Sequence, residues 1–283
     1  MSNCRLVPGA DGPSIPPYND KMTSLTPHSY REDTGPFDLI GDIHGCAGET
    51  ELLLEKLGYR VEYQGPAGSR SYDVSHPKGR KPVFLGDLVD RGPRSPDVMR
   101  LVMGMVRRGE AYAVVGNHDD KFRRWLEGRN VHLSHGIEET IEQFEQEDAA
   151  FKSEVRDFIR AMPTHLILDR GDLLVAHAGL AEKFHGRFTG EERSFAMFGD
   201  VAKHRDQHGL PVRLNWAADY SGTRTVVHGH VAEPEVRELN NVYCIDTGCC
   251  FGGRLTALTW PERKLVQVEA REAYFHSPRW VQA

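Results

Sequence analysis

Six short clusters carry the residue types that could do chemistry. They are Gly41-Asp42-Ile43-His44-Gly45, Gly86-Asp87-Leu88-Val89-Asp90-Arg91-Gly92, Gly116-Asn117-His118-Asp119, His177-Ala178-Gly179, His228-Gly229-His230, and Asp246. Together they collect carboxylates, imidazoles and a carboxamide, which are oxygen and nitrogen donors of intermediate hardness. Such a set suits manganese, iron, zinc, nickel or cobalt. No Cys-x-x-Cys pair occurs, so a structural zinc knuckle is not supported. One Asp has two oxygens and can bridge two metals. Two ions ~3.5–4 Å apart can activate water near neutral pH and clamp an in-line displacement at phosphorus. Each cluster taken singly has a plainer explanation. Asp42-x-His44 and Asp87-x-x-Asp90-Arg91 could be turns, Asn117-His118-Asp119 a helix cap, and His177 and His230 satisfied core residues. Their joint appearance in order, each after an apolar run, favours the catalytic reading.

Those apolar runs are the elements that must hold the clusters. Phe37–Ile40, Val83–Leu85, Ala111–Val115, Leu173–Ala176, Thr225–Val227 and Val242–Ile245 read as strands, and a cluster follows each. Leu255–Trp260 and Leu265–Val268 are further strands. Between them, Glu49–Leu57 carries leucines on a helical stripe. Pro96 opens a second helix whose stripe is Val98, Leu101, Val102, Met105 and Val106. Residues 120–162 read mostly as helix. The order βαβαβ, then helices, then crowded strands predicts a layered α/β domain with a sheet-rich second half. In α/β sheets, strand ends open into the crevice where ligands bind. Residues 1–36 hold six of the 16 prolines and show no strand or helix period, so they are expected to form a flexible tail. The catalytic domain is then 37–283.

Bulk composition narrows the function classes. Lys plus Arg is 35 against 41 Asp plus Glu, a formal net charge of −6, so the chain as a whole is no basic nucleic-acid coat. No apolar run approaches the ~18 residues of a membrane span, and no signal-peptide core segment opens the sequence. Five cysteines, an odd and sparse set, argue for a reducing, cytoplasmic setting rather than a disulfide framework. No obligate protein partner is evident.

The ordered set GDIHG, GDLVDRG, GNHD, His177 and Gly229-His230 resembles the calcineurin-like metallophosphoesterase superfamily over residues 37–270. Asp90-Arg91-Gly92 is similar to its phosphoprotein-phosphatase branch. The resemblance implies a four-layer α/β/β/α sandwich, two mixed sheets flanked by helices. It also implies two divalent transition-metal ions, manganese first, with nickel, iron, zinc or cobalt as alternatives. Asp42, His44 and Asp87 would hold one ion. Asp87 would bridge, and Asn117, His177 and His230 would complete the other. Arg91, with Asn117, would bind substrate phosphate. His118 would serve the leaving oxygen, oriented by Asp90, and Asp246 would support a metal-bound histidine. The implied reaction is phosphate-ester hydrolysis by metal-bound hydroxide. Superfamily members often end in Gly-His-x-His, whereas here Val231 and Ala232 follow His230, which leaves the first metal more open.

Ser95-Pro96-Asp97, Gly209–Arg213, Trp216-Ala217-Ala218, Ile245–Cys249 and Phe251–Leu258 are similar to the phosphatase module of bacterial polynucleotide kinase-phosphatase. They also resemble stand-alone asymmetrical diadenosine-tetraphosphate hydrolases. The expected substrate is a phosphorylated small molecule or a nucleic-acid end, foremost a nucleotide or a 2′-, 3′- or 2′,3′-cyclic RNA-end phosphate. Diadenosine tetraphosphate and phosphoserine/threonine protein are the alternatives, and a non-catalytic binding scaffold is the minor one. No phosphate-binding loop of a kinase is present. His228 and the buried-type cysteines Cys46, Cys249 and Cys250 read as structural, and His132 and His135 as loop residues. Arg107-Arg108, and Lys121 with Arg123-Arg124, read as solvated helix faces, with binding of a polyphosphate or RNA backbone as the rival.

Overall fold

A computed structural model describes residues 30–207, 211–277 and 280 of the chain. Two five-stranded sheets face one another. In the first, β1 (Phe37–Ile40) lies between β4 (Lys81–Phe84), its parallel neighbour, and the antiparallel β13 (Arg254–Trp260). β5 (Tyr112–Ala113) and β14 (Leu265–Glu269) form its edges. The second sheet centres on three parallel strands, β7 (Leu173–Ala176), β10 (Thr225–His228) and β12 (Val242–Cys244). β6 (His165–Leu168) and β11 (Arg237–Leu239) add antiparallel edges. Both sheets are therefore mixed.

The strands alternate between two interiors, as a two-residue side-chain period requires. Phe37 and Leu39 of β1 meet Leu173 and Val175 of β7 and Val227 of β10 in the core between the sheets. Ile40 points the other way, into a core shared with the helices α1 (Ala47–Leu57), α2 (Ser95–Arg107), α3 (Asn117–Leu126), α4 (Ile137–Glu145) and α5 (Ala149–Ala161). Leu174, Ala176 and Val226 face outward, beneath Ala196 of α6 (Gly190–Phe198). The result is helices, sheet, sheet, helices, the architecture the motifs implied. Strands buried on both faces read as unbroken apolar runs, which explains why the sequence displayed them so clearly.

Several elements went unread. The hairpin β2 (Arg60–Gln64) and β3 (Ser71–Ser75) is mostly exposed, so its sequence lacks an apolar run. β6 and β11 are short edge strands, and β8 (Val201–Arg205) pairs with β9 (Pro211–Arg213) as a small exposed hairpin. The stretch 120–162 is three helices, with a loop over 127–136 that contains His132 and His135. Most of the expected tail, 1–29, lies outside the described residues. Tyr30–Pro36 does not hang free. The Asp33 carboxylate accepts from Lys81 Nζ at 2.7 Å and from Tyr112 Oη at 2.5 Å, and Tyr30 packs against the Tyr112 ring. Among the described residues, no helix is long and apolar enough to cross a membrane.

Candidate active site

Three parallel strands in each sheet deliver the clusters at their C-terminal ends. Asp42 and His44 follow β1, Asp87 follows β4, Asn117 opens α3 after β5, His177 follows β7, His230 follows β10 and Asp246 follows β12. The turns are tight. His44, Asp87, Asp90, Arg91 and His230 all hold left-handed backbone, with φ between 46° and 73°. Such backbone is strained for side chains of this size and concentrates at functional sites. Glycine permits the close approaches between turns. A Cβ on Gly116 would overlap Asp87 Oδ1, and one on Gly229 would overlap Asp42 Oδ1.

A buried carboxylate that the sequence reading left without a role ties the loops together. Asp119 Oδ1 accepts the Leu88 amide and Oδ2 accepts the Gly116 amide, both at 2.9 Å. The His44 amide donates to Asp87 O at 2.8 Å and Gly45 to Leu88 O at 2.9 Å. The β1, β4 and β5 loops thus become one unit, and the His118 amide donates to Asp87 Oδ1 at 3.0 Å.

Asp87 Oδ2 is the centre of the arrangement. It lies 3.5 Å from His44 Nε2 on one side and 3.4 Å from His177 Nε2 on the other. Donor atoms of His44, Asp87 and His118 lie within 4.8 Å of one another, as do those of Asp87, His177 and His230. His177 Nε2 also sits 3.1 Å from Asn117 Oδ1 and 2.9 Å from His230 Nδ1. Backbone carbonyls orient the rings. His44 Nδ1 pairs with Val89 O and His177 Nδ1 with Leu85 O, each at 2.9 Å, which leaves both Nε2 lone pairs aimed inward. Asp42 Oδ2 accepts the His230 amide at 3.0 Å, and its buried Oδ1 has no hydrogen-bond partner.

The electrostatics of this pocket call for a cation. Burial, then Asp246 and Asp87, push the Asp42 carboxyl well above the ordinary carboxylate range. Burial drives Asp87 up to about 7, against the pull of Arg91, and Asp246 up to about 6. Burial also lowers His177 to about 4 and holds His44 and His230 well below the usual imidazole range. Neutral imidazoles among crowded carboxylates are what divalent transition metals bind, and a metal would relieve the carboxylate repulsion. The orphaned Asp42 oxygen and the facing lone pairs of Asn117, His177 and Asp87 fit such ions.

Beside this donor cluster, His118 Nδ1 pairs with Asp90 Oδ2 at 2.7 Å. The Asp90 amide donates to Thr140 Oγ1 at 2.8 Å, so α4 fixes the pair. Arg91 forks between two rings, with Nη1 2.7 Å from His44 Nε2 and Nη2 2.9 Å from His118 Nε2. Its guanidinium lies 5.0 Å from the Phe251 ring centroid. Both nitrogens accept from an arginine that has no lone pair to offer, so both imidazoles carry their proton on Nδ1.

The structure brings Asp42, His44, Asp87, Asp90, Arg91, Asn117, His118, His177 and His230 together around Asp87. Asp246 is in the cluster as a neighbour of Asp42, but it accepts the Gly248 amide at 3.0 Å rather than a ring N–H. Support for the metal-facing histidines comes instead from the Val89 and Leu85 carbonyls. Arg213, which the sequence reading did not assign, also reaches the cluster. From β9 it donates through Nη1 to His230 Nε2. Its only sequence signal was its place in the Gly209–Arg213 segment. His228 is buried, with Nδ1 on Gly229 O, and Cys46, Cys249 and Cys250 are buried thiols near Arg91 and α1, all as expected. Arg107 and Arg108 pair with Glu154 and Glu110.

Comparison with known proteins gives the family and the fold. The family model described as calcineurin-like phosphoesterase matches residues 35–253. The asymmetrical bis(5′-nucleosyl)-tetraphosphatase PrpE of Anoxybacillus flavithermus is 43% identical over 242 residues, covering 84% of this chain and 96% of that protein. The enzyme of the same name from Bacillus subtilis is 38% identical, covering 85% and 97%. A solved structure provisionally described as a diadenosine tetraphosphatase superposes with TM-score 0.60 at 24% identity, covering 86% of this chain and 97% of that one. A Saccharomyces cerevisiae serine/threonine phosphatase with similarity to human PP5 superposes with TM-score 0.56 at 15% identity, covering 87% and 82%. These two likenesses are likenesses of fold.

Proposed function

This chain belongs to the calcineurin-like phosphoesterase family, and on that footing we propose that it hydrolyses dinucleoside tetraphosphates asymmetrically with the help of two divalent ions. The observation that carries the chemistry is Asp87 Oδ2, set 3.5 Å and 3.4 Å from two inward imidazole nitrogens that belong to separate sheets. The preference for a dinucleoside polyphosphate over an RNA end or a phosphoprotein is supported by relatives named asymmetrical bis(5′-nucleosyl)-tetraphosphatases, matched along nearly their whole length.

Asp42, His44 and Asp87 would hold one ion, and Asp87, Asn117, His177 and His230 the other. Manganese suits the mixed carboxylate, imidazole and carboxamide donors. Such ions supply water activation and neutralise developing phosphoryl charge. The chain's own groups do the rest. Arg91 offers a forked donor pair to phosphate oxygens, and drawing it onto substrate uncovers His44 Nε2 and His118 Nε2 together. His118, once protonated at Nε2, passes that proton to the leaving oxygen as the bridging P–O bond breaks and a P–O bond to water forms. Asp90 holds the opposite ring nitrogen and stabilises the imidazolium. Arg213, facing the pocket from β9, is the second cation available to a polyphosphate.

The test is product analysis on manganese-loaded protein given diadenosine tetraphosphate. The expected products are AMP and ATP in equal amounts. Two ADP per substrate, or preferential release of phosphate from 3′-phosphate RNA or opening of 2′,3′-cyclic AMP, would overturn the substrate assignment.

A further inference from the structure

A second concentration of positive charge lies away from the donor cluster. Arg123, Arg129, Arg156, Arg160 and Arg193, with Glu127 among them, line a recess of about 860 Å³. Three helices build it. Arg123 comes from α3 and Arg129 from just beyond its end, Arg156 and Arg160 from α5, and Arg193 from α6. The carboxylates that answer these five guanidiniums are Glu127, Asp120 and Asp157. Glu127 takes Arg123 and Arg160, with Arg129 beside it. Asp120 takes Arg123 and Arg193, each at 2.9 Å, and Asp157 takes Arg156. Five positive charges against three negative leave +2 in one recess of a chain whose net charge is −6.

The chemistry of the wall is specific. All its cations are arginine, whose planar fork matches phosphate oxygens two at a time, whereas lysine meets them as a point charge. The Arg129, Arg160 and Arg193 side chains are 62%, 57% and 44% exposed, so their outer donors can be reached from solvent. We propose that this arginine-walled recess is a binding site for the phosphate chain of a nucleoside polyphosphate, separate from the metal-facing centre. Its place in the fold gives it access to that centre. Arg123 and Glu127 stand ~9–15 Å from Asn117 along α3, at ~1.5 Å per residue. A ligand that draws Arg193 off Asp120 acts on the first turn of the helix that carries Asn117 and His118.

The test is calorimetric titration of the full chain with sodium tripolyphosphate, then with ATP, in chelator, so that no metal supports binding at the catalytic centre. Arg91→Ala controls for phosphate captured there and is expected to keep the affinity. Arg129→Glu/Arg160→Glu is expected to weaken both ligands by about tenfold or more, since it removes and inverts charge-assisted contacts. Arg193→Gln, a milder change that keeps the helix intact, is expected to weaken them in the same direction, with melting curves checking the fold of each variant. Rising salt should weaken the wild-type interaction. The proposal is overturned if neither ligand binds, if the cleft variants bind as the wild type does, if Arg91→Ala alone abolishes binding, or if only long single-stranded RNA binds.

Discussion

Asp90→Asn isolates the electrostatic part of the proposed proton transfer. Asp90 is fully buried, and its Oδ2 lies 2.7 Å from His118 Nδ1. Asparagine is nearly isosteric and tolerates the left-handed backbone that Asp90 adopts at φ 73°. Its carbonyl can still accept the Nδ1 proton, so the ring stays in place, and only the negative charge behind the imidazolium is lost. A hydrogen bond to a charged group contributes ~1.5–3 kcal/mol against ~0.5–1.5 for a neutral one, so exchanging one for the other loses ~1–1.5 kcal/mol and, at ~1.36 kcal/mol per decade, predicts a fall in kcat of ~5–13-fold. The fall should depend on the leaving group. An alkyl phosphate needs the proton and should show the full effect, whereas p-nitrophenyl phosphate, whose leaving oxygen is stable as an anion, should show little. His118→Ala should follow the same pattern, and the double variant should be no slower than His118→Ala alone, because the two residues act as a unit. Stability should hold, since the change removes a carboxylate whose burial already raises its proton affinity well above the ordinary range. Equal losses on the alkyl and aryl esters, or no loss on the alkyl ester, would refute the assignment of His118 as the proton donor.

Four further outcomes follow from the same geometry. Asp87→Ala should abolish uptake of the metal pair, read as metal per chain by elemental analysis; two ions retained would show that Asp87 is not shared. In metal-free protein, Asp87→Gly should melt ~2–4 °C above Asp87→Ala, because left-handed backbone at φ 47° costs alanine about 1 kcal/mol more than glycine; equal melting points would mean the turn stores no strain. Gly229→Ala forces a methyl group against Asp42 Oδ1, so metal affinity and turnover should both drop at least about tenfold, with loss of second-sphere support as the yardstick; unchanged metal content would show that Asp42 can move aside. Asp119→Ala strands the Leu88 and Gly116 amides, at ~1–3 kcal/mol each, and should lower both denaturant stability and kcat; a variant as stable as wild type would remove Asp119 from the role of loop anchor.

The parts legible in the sequence share a physical cause. Phe37–Ile40, Leu173–Ala176 and Val242–Cys244 are buried on both faces, so each stands out as an apolar run, and the polar group that follows marks a strand end. The candidate metal-facing residues stood out for the same reason, since they lie next to those runs. The hairpin Arg60–Ser75 escaped because its strands face solvent and owe their pairing to backbone bonds that composition does not encode. Asp119 and Arg213 escaped for a different reason. Asp119 works by accepting amides from the Leu88 and Gly116 turns, one of them 31 positions away, and Arg213 meets His230 across 17 positions. Neither carries a local pattern, and only the folded chain assigns them partners. Asp246 shows the converse: its motif position places it beside Asp42, while its hydrogen bond goes to the Gly248 amide, which no motif announces.

The strained turns explain why the anchoring matters as much as the ligands. His44, Asp87, Asp90, Arg91 and His230 each hold a conformation that costs a non-glycine residue ~1–2 kcal/mol, together a sizeable fraction of the ~5–15 kcal/mol by which a domain is stable. Turns of that kind relax unless their surroundings forbid it. Here the restraints are backbone bonds between the β1 and β4 turns, the Asp119 carboxylate between the β4 and β5 turns, and the Asp42 oxygen that takes the His230 amide from the opposite sheet. That last contact joins the two halves of the sandwich at the point where Asp87 would be shared. A metal pair held by ligands from both sheets therefore binds best when the sheets are packed, and packing is in turn favoured by the metals, so folding and metal affinity should rise and fall together in every variant that loosens either one.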